Sequence, residues 1–136
     1  DFKFIIRFHP ITAINQVIRE CPQLVQNLPN LEFSKVSFEV DLERSEYAIY
    51  RGSTTIIKAI QNGLVPLYYE KKNEISIDPL IEIKEEKINL SSTQDLSLVF
   101  NKSIDAIEKN QSKLIDHVND FFSPVNYNEV LKKLEK

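Results

Sequence analysis

The chain has 136 residues, of which 42% are hydrophobic and 27% charged, and its net charge is -3. This length suffices for one domain with its own core, and the scattered basic residues argue against a nucleic-acid-binding domain. The single cysteine excludes an internal disulfide framework and a cysteine-rich zinc site, and no apolar run approaches the roughly 20 residues that span a bilayer.

The first elements are a strand and a helix. Residues 2–8 are rich in Phe and Ile and end at His9-Pro10, which predicts a short buried strand stopped by proline. From Ile11 to Val25 the apolar residues recur in steps of three and four, which predicts an amphipathic helix disturbed by Pro22. Cys21 lies on the apolar stripe and is predicted to be a small core residue.

The middle of the chain alternates strands with a helix. Strands are predicted over 32–39, 46–50 and 65–70, with a helix over 53–62 before the last of these. Asp41 is predicted to cap a single helical turn.

The C-terminal half is predicted to be mostly helical. Residues 71–87 are interpreted as a polar loop with a short helix at Asp78, and residues 88–90 as a fifth strand. Ser and Thr ahead of an acid near residue 92 mark the start of a helix that runs to about residue 122, with a bend near Lys109-Asn110. Pro124 ends it, and residues 123–136 are predicted to be a C-terminal helical extension.

Short apolar strands that alternate with helices indicate an α/β fold with a parallel sheet covered on both faces. We therefore predict one Rossmann-like domain over residues 1–136, a three-layer αβα sandwich with a mostly parallel sheet of four to five strands. The chain contains no Met and enters its first strand directly after Asp1, so we expect a domain from a longer protein.

Both glycines of the chain lie in the stretch YRGSTTIIKAIQNGLVPLYY, residues 50–69. Ligands of α/β sheets bind at the carboxyl ends of strands, and Gly52 follows the third strand, where a β carbon would obstruct a close approach. Arg51 supplies charge, and Ser53, Thr54 and Thr55 supply hydroxyls and free N–H groups at a helix start. Gly63 is predicted to end the helix at the C′ position.

Simpler interpretations of these residues remain open. Ser and Thr are common helix caps, and a glycine before a helix is often only part of a turn. The chain lacks the G-x-G-x-x-G and P-loop motifs, which argues against a dinucleotide oxidoreductase and a P-loop NTPase.

The other candidate edge is Arg7-Phe8-His9-Pro10, after the first strand. His9 either presents a protonatable donor to the cleft or satisfies a backbone carbonyl in the core. His117 is predicted to lie on a solvated surface, and no metal site is predicted. Of Tyr68 and Tyr69, one is predicted to be core and the other could stack on a base.

The segments RFHP, YRGSTTIIKAIQNGLVPLYY and DPL together resemble the C-terminal half of GT-B glycosyltransferases, such as bacterial sialyl- and polysialyltransferases of surface-carbohydrate assembly. The resemblance covers about residues 3–122. It implies a domain that binds a CMP-, UDP- or GDP-linked sugar, needs no cofactor, and pairs with an N-terminal domain outside this chain. It further implies that His9 is catalytic and contacts the donor phosphate, that Pro10 sets its loop, and that Ser53 and Thr54 bind the same phosphate.

One position departs from the resemblance. Many retaining GT-B enzymes place a ribose-binding glutamate where this chain has Lys58, so a retaining UDP- or GDP-sugar enzyme of that kind is disfavoured. We expect a cytoplasmic protein whose isolated domain binds donor weakly and does not turn over. The alternatives are a non-catalytic Rossmann-like interaction module and one half of a sugar-nucleotide epimerase.

Overall fold

The protein is described here by a computed structural model, which covers residues 2–26, 28–83, 87–101 and 104–120, with the backbone alone for 104–110. The predicted C-terminal extension, 123–136, lies outside the described residues. The chain divides into two compact units, Asp1–Arg44 and Ser45–Lys136.

The first unit contains a small parallel sheet of two strands. Phe4 pairs with Leu31 and Ile6 with Phe33. The elements are β1 (Phe4–Ile6), α1 (Ile14–Glu20), a 3-10 helix (Pro22–Val25), β2 (Leu31–Phe33) and α2 (Phe38–Glu43). The predicted helix over residues 11–25 is therefore divided at Pro22, because proline has no N–H to continue it.

Three predictions for the first unit are wrong in detail. The strand predicted over 32–39 ends at Phe33, because the Ser37 hydroxyl accepts a hydrogen bond from the Val40 N–H (3.4 Å) and begins α2. Asp41 lies inside that helix and does not cap it. The apolar stripe predicted over residues 11–25 is largely exposed: Ile11 is 87% exposed, Ile14 of α1 is 49% exposed, and Cys21 is exposed instead of buried.

The second unit contains a parallel sheet of three strands in the order β3-β4-β5. Consecutive residues Pro66, Leu67 and Tyr68 of the central strand are all buried, so both of its faces are covered. The elements are β3 (Tyr47–Tyr50), α3 (Thr55–Gln61), β4 (Val65–Tyr69), β5 (Ile88–Leu90), α4 (Thr93–Phe100) and α5 (Ile104–Asp120).

Helices supply the rest of this core. Ile56 and Ile60 of α3 are fully buried, as is Val118 of α5, and α3 packs against α5. Leu67 forms a cluster with Leu90 and with Val99 of α4. The start of α4 is a capping box, since the Ser92 hydroxyl accepts from the Asp95 N–H (3.3 Å) and the Asp95 carboxylate accepts from the Ser92 N–H (2.9 Å).

The fold class is confirmed in its coarser form: the protein is α/β with parallel strands. Within the described residues the strands form sheets of two and three, and not the single sheet of four to five that we predicted. The predicted long helix is two helices, with Asn101 at the C-cap of α4, and α5 continues through Lys109-Asn110 where a bend was predicted. Residues 70–83 contain no helix, so the one predicted at Asp78 is absent there.

Candidate anion-binding site at the carboxyl end of β3

The segment Arg51–Thr54 connects β3 to α3 at the carboxyl end of β3. β3, α3 and β4 form a parallel βαβ unit, in which Tyr50 pairs with Tyr68. The carboxyl ends of parallel strands are where open α/β sheets bind ligands. Five predicted site residues therefore lie at this end of the strand: Arg51, Gly52, Ser53 and Thr54 in the loop, and Thr55 as the first residue of α3.

Arg51 places a cation in this loop, and that cation already holds an anion. Its guanidinium forms a salt bridge with the carboxylate of Glu74. The other carboxylate oxygen of Glu74 pairs with Lys71. Hydrogen bonds from Lys71 and then Arg51 hold the pKa of Glu74 below its ordinary value, so Glu74 is ionised at neutral pH.

Gly52 is closely approached, but by another part of the chain. A β carbon at Gly52 would lie 2.5 Å from Cδ1 and 2.9 Å from Cγ1 of Ile77. A side chain at Gly52 would therefore clash with Ile77, whereas the expected approach of a ligand to Gly52 stays a prediction.

The hydroxyls beside Gly52 are exposed. Ser53 Oγ and Thr55 Oγ1 lie 2.6 Å apart, and the Thr55 N–H donates to Ser53 Oγ over 3.4 Å. Thr54 is the N-cap residue of α3, but its side chain forms no capping hydrogen bond. Among the described residues, the Ser53 and Thr55 hydroxyls thus contact each other and one backbone N–H, within four residues of Arg51 along the chain.

Gly63 ends α3 as predicted. Its φ is +86°, and its N–H donates to the Ile60 carbonyl over 2.8 Å. The Leu64 N–H donates to the Ala59 carbonyl over 3.0 Å, which completes a Schellman motif. The prediction of a C′ glycine is confirmed.

A buried polar cluster, here called the Asp78 cluster (Tyr50, Asp78, Leu80 and Lys87), fixes the next loop to this end of the sheet. Asp78 Oδ1 accepts from the Tyr50 hydroxyl (2.9 Å) and from the Leu80 N–H (2.9 Å). Lys87 forms a salt bridge with the other carboxylate oxygen, and the two side chains are only 7% and 1% exposed. Burial, followed by the bond to Asp78, raises the pKa of Tyr50, so its phenol remains a donor.

The sequence analysis missed this cluster, because it assigned Lys87 to a solvated loop. The available signal was Asp78 itself, a lone acid between Ile77 and the apolar Pro79-Leu80. Alternation along β4 did predict one core tyrosine: Tyr68 is buried and its hydroxyl lies 3.1 Å from Ser76 Oγ, whereas Tyr69 is exposed.

The other predicted site residues lie in the first unit. Arg7 Nε donates to Asp41 Oδ2 (2.7 Å), and a second nitrogen of Arg7 donates to Ser34 Oγ (3.0 Å). His9 and Pro10 are exposed in a turn beyond the end of β1, and His9 Nδ1 accepts from the Ile11 N–H over 3.3 Å. The buried strand end expected at His9 is absent, since β1 ends at Ile6 with half-buried residues.

Metal and membrane chemistry gain no support. Among the residues that the structure describes, no group of three or more His, Cys, Asp and Glu side chains could hold a metal ion. His117 is partly buried on α5 and does not lie on the solvated surface as predicted. No helix within the described ranges is long and apolar enough to cross a bilayer.

Comparison with known proteins gives no relative. No family model, curated protein or solved structure matches this chain. A function must therefore be argued from the loop after β3 and its surroundings.

Proposed function

We propose that this chain binds the phosphate of a sugar nucleotide through Arg51–Thr55, as the donor-binding domain of a glycosyltransferase. One observation carries the proposal: the Arg51 guanidinium lies at the carboxyl end of a parallel strand and holds a carboxylate. A site that holds one oxyanion offers the charge and geometry for another.

The groups around Arg51 suit phosphate. A guanidinium donates two parallel hydrogen bonds to phosphate oxygens, and the Ser53 and Thr55 hydroxyls can donate to a third oxygen. Because α3 has only seven residues, Arg51 and these hydroxyls supply most of the attraction and the helix end adds little. In glycosyl transfer such donors stabilise the charge that develops on the departing nucleotide.

The assignment of His9 as the catalytic residue rests on the resemblance alone. Its ring is exposed, and because Nδ1 accepts from the Ile11 N–H, Nε2 is the ring nitrogen that can donate. The sugar-nucleotide and glycosyltransferase parts of the proposal rest on the same resemblance.

A nucleotide titration tests the proposal. We expect CMP, CDP, UDP or GDP to shift the amide NMR signals of Gly52–Thr55, and Arg51→Met to weaken the best ligand about tenfold or more, because a charge-assisted pair is lost. Arg19→Met is the matched control, since Arg19 is an exposed arginine on α1. Equal weakening by both variants, or binding unaffected by Arg51→Met, would contradict the assignment of the site.

A non-catalytic interaction module is the second candidate, and one observation favours it. Glu74 already neutralises Arg51, and Ile77 fills the space over Gly52, so residues of the chain itself occupy the site. Amide signals that stay unchanged at millimolar concentrations of all four nucleotides would favour this candidate.

A further inference from the structure

We propose that residues 71–77 form a strap that regulates the Arg51 site by competing with its ligand. The Glu74 carboxylate and the Ile77 side chain occupy the positions that an incoming phosphate needs, so binding requires the strap to move away. The inference rests on the proposed function, because it concerns the same anion site.

The first step of the argument is electrostatic. Glu74 divides its two oxygens between Lys71 and Arg51, so Arg51 receives a single carboxylate oxygen. Arg51 Nε is shielded from solvent and has no hydrogen-bond partner among the described residues. A phosphate with several oxygens and greater charge can engage more of this fork than Glu74 does. Glu74 is therefore a weak competitor that a stronger anion displaces.

The second step is steric. The side chain of Ile77 covers the side of Gly52 on which a β carbon would stand, within 3 Å of that position, so a group that approaches from that side must displace it. Ile77 is 54% exposed and Ile75 is 88% exposed, so moving the strap away uncovers little additional apolar surface. Segments with few buried contacts open at low free energy.

The third step is mechanical. Asp78, next after the strap, is fixed by the buried Asp78 cluster, so movement stops there and residues 78–83 stay in place. At the other end, Lys71–Glu74 form a turn in which Asn73 has a φ of 65°. Opening breaks the Arg51–Glu74 salt bridge, the hydrogen bond between Tyr68 and Ser76 (3.1 Å) and the hydrogen bond from the Asp78 N–H to Ser76 Oγ (3.5 Å). Three exposed or part-buried bonds are a modest barrier.

The test is a titration of the full chain with inorganic pyrophosphate, read from the amide signals of Gly52–Thr55. Glu74→Gln removes the competing charge, and we expect it to tighten the apparent Kd about fivefold, since a larger fraction of molecules is then open. Glu70→Gln is the matched control, because Glu70 is an exposed acid beside the strap with no ion pair to the residues that the structure describes, and it should change the Kd less than about twofold. Ile77→Ala is the second opening variant and should also tighten binding.

The outcomes separate the two proposals. If wild type and both opening variants bind pyrophosphate equally at Gly52–Thr55, the strap proposal fails and the anion site stands. If Glu70→Gln tightens binding as much as Glu74→Gln, the tighter binding results from the change in net charge, and the strap proposal again fails. If no variant shows shifts at these residues, the proposed function fails and the strap proposal fails with it.

Discussion

Gly52 and Gly63 lie on either side of α3 and are required for different physical reasons. At Gly63 the backbone has a φ of +86°, and an added β carbon would only touch Gln111 at an ordinary 3.8 Å. At Gly52 the φ is not left-handed, and the constraint is the side chain of Ile77. Gly63 is therefore required by the backbone conformation, and Gly52 by the lack of space for a side chain.

Gly63→Ala should lower the free energy of unfolding by about 1 kcal/mol, because alanine in a left-handed conformation is strained. Chemical denaturation monitored by circular dichroism measures this. Gly63→Asn is the matched variant: asparagine tolerates the left-handed region better and should lose less. Equal losses for the two variants would show that the backbone conformation is not the cause.

Gly52→Ala should lower the free energy of unfolding by about 1 kcal/mol, because the new β carbon displaces Ile77. In an Ile77→Ala background the same substitution should be nearly neutral. A double-mutant cycle measures the coupling between the two positions. Additive effects would contradict the contact on which the strap proposal depends.

At the scale of elements, the connection from β4 to β5 is held by side chains and not by a helix within residues 70–83. The Asp78 cluster ties residues 78–80 to β3 through Tyr50 and to the start of β5 through Lys87. A buried ion pair adds little net stability compared with an apolar replacement, but loss of one partner leaves an uncompensated charge.

Asp78→Asn should therefore destabilise the protein by about 3 kcal/mol, because Lys87 stays buried without its counterion. Asparagine can still accept from Tyr50 and Leu80, which keeps the loss at the lower end for such pairs. Glu82→Gln, an exposed acid in the same loop, is the control and should change stability by less than about 0.5 kcal/mol. If both variants unfold at the same denaturant concentration as wild type, the ion pair does not hold the loop.

Local patterns predicted the elements of the βαβ unit and could not predict this cluster. Periodicity and cap chemistry, which depend on residues close together along the chain, predict β3, α3, β4 and the C′ glycine. The partners of Asp78 lie 28 residues away at Tyr50 and 9 residues away at Lys87. Their meeting depends on how the loop crosses the sheet, which residue spacing does not encode. The same limit applies to Glu74 and Ile77 beside Arg51 and Gly52.

At the scale of the whole molecule, the α/β class with parallel strands was predicted and the grouping of the strands into sheets was not. Each βαβ unit is specified locally, because a strand, a short helix and a second strand follow closely along the chain. Which strands share a sheet depends on contacts between distant segments. The exposed stripe of α1 shows the same effect, since helical spacing predicts an apolar face but not what covers it.

Both units carry ionised carboxyl groups that favour the folded state. The pKa is lowered for Glu32 and Asp41 in the first unit and for Glu74 and Asp95 in the second. At Asp41 burial opposes the shift, and hydrogen bonds from Ser34, Arg44 and Arg7 outweigh it. A carboxyl group whose pKa is lowered in the folded state stabilises the protein at pH values above its ordinary pKa. This contribution is lost as the pH falls through the folded-state pKa.

Acid should therefore destabilise the protein, starting below the ordinary values of 4.5 for Glu and 3.8 for Asp. We expect a lower free energy of unfolding at about pH 3 than at about pH 7. Asp41→Asn should lower the free energy of unfolding by about 2 kcal/mol at neutral pH, because the ion pairs of Asp41 with Arg7 and Arg44 are lost. The loss is limited, since both arginine side chains are about a third exposed and keep some solvation. The free energy of unfolding of Asp41→Asn should also fall less than that of wild type between the two pH values. Glu43→Gln is the control, since Glu43 is an exposed acid on the same helix. If the stability of Asp41→Asn depends on pH in the same way as that of Glu43→Gln and wild type, the role of Asp41 is contradicted.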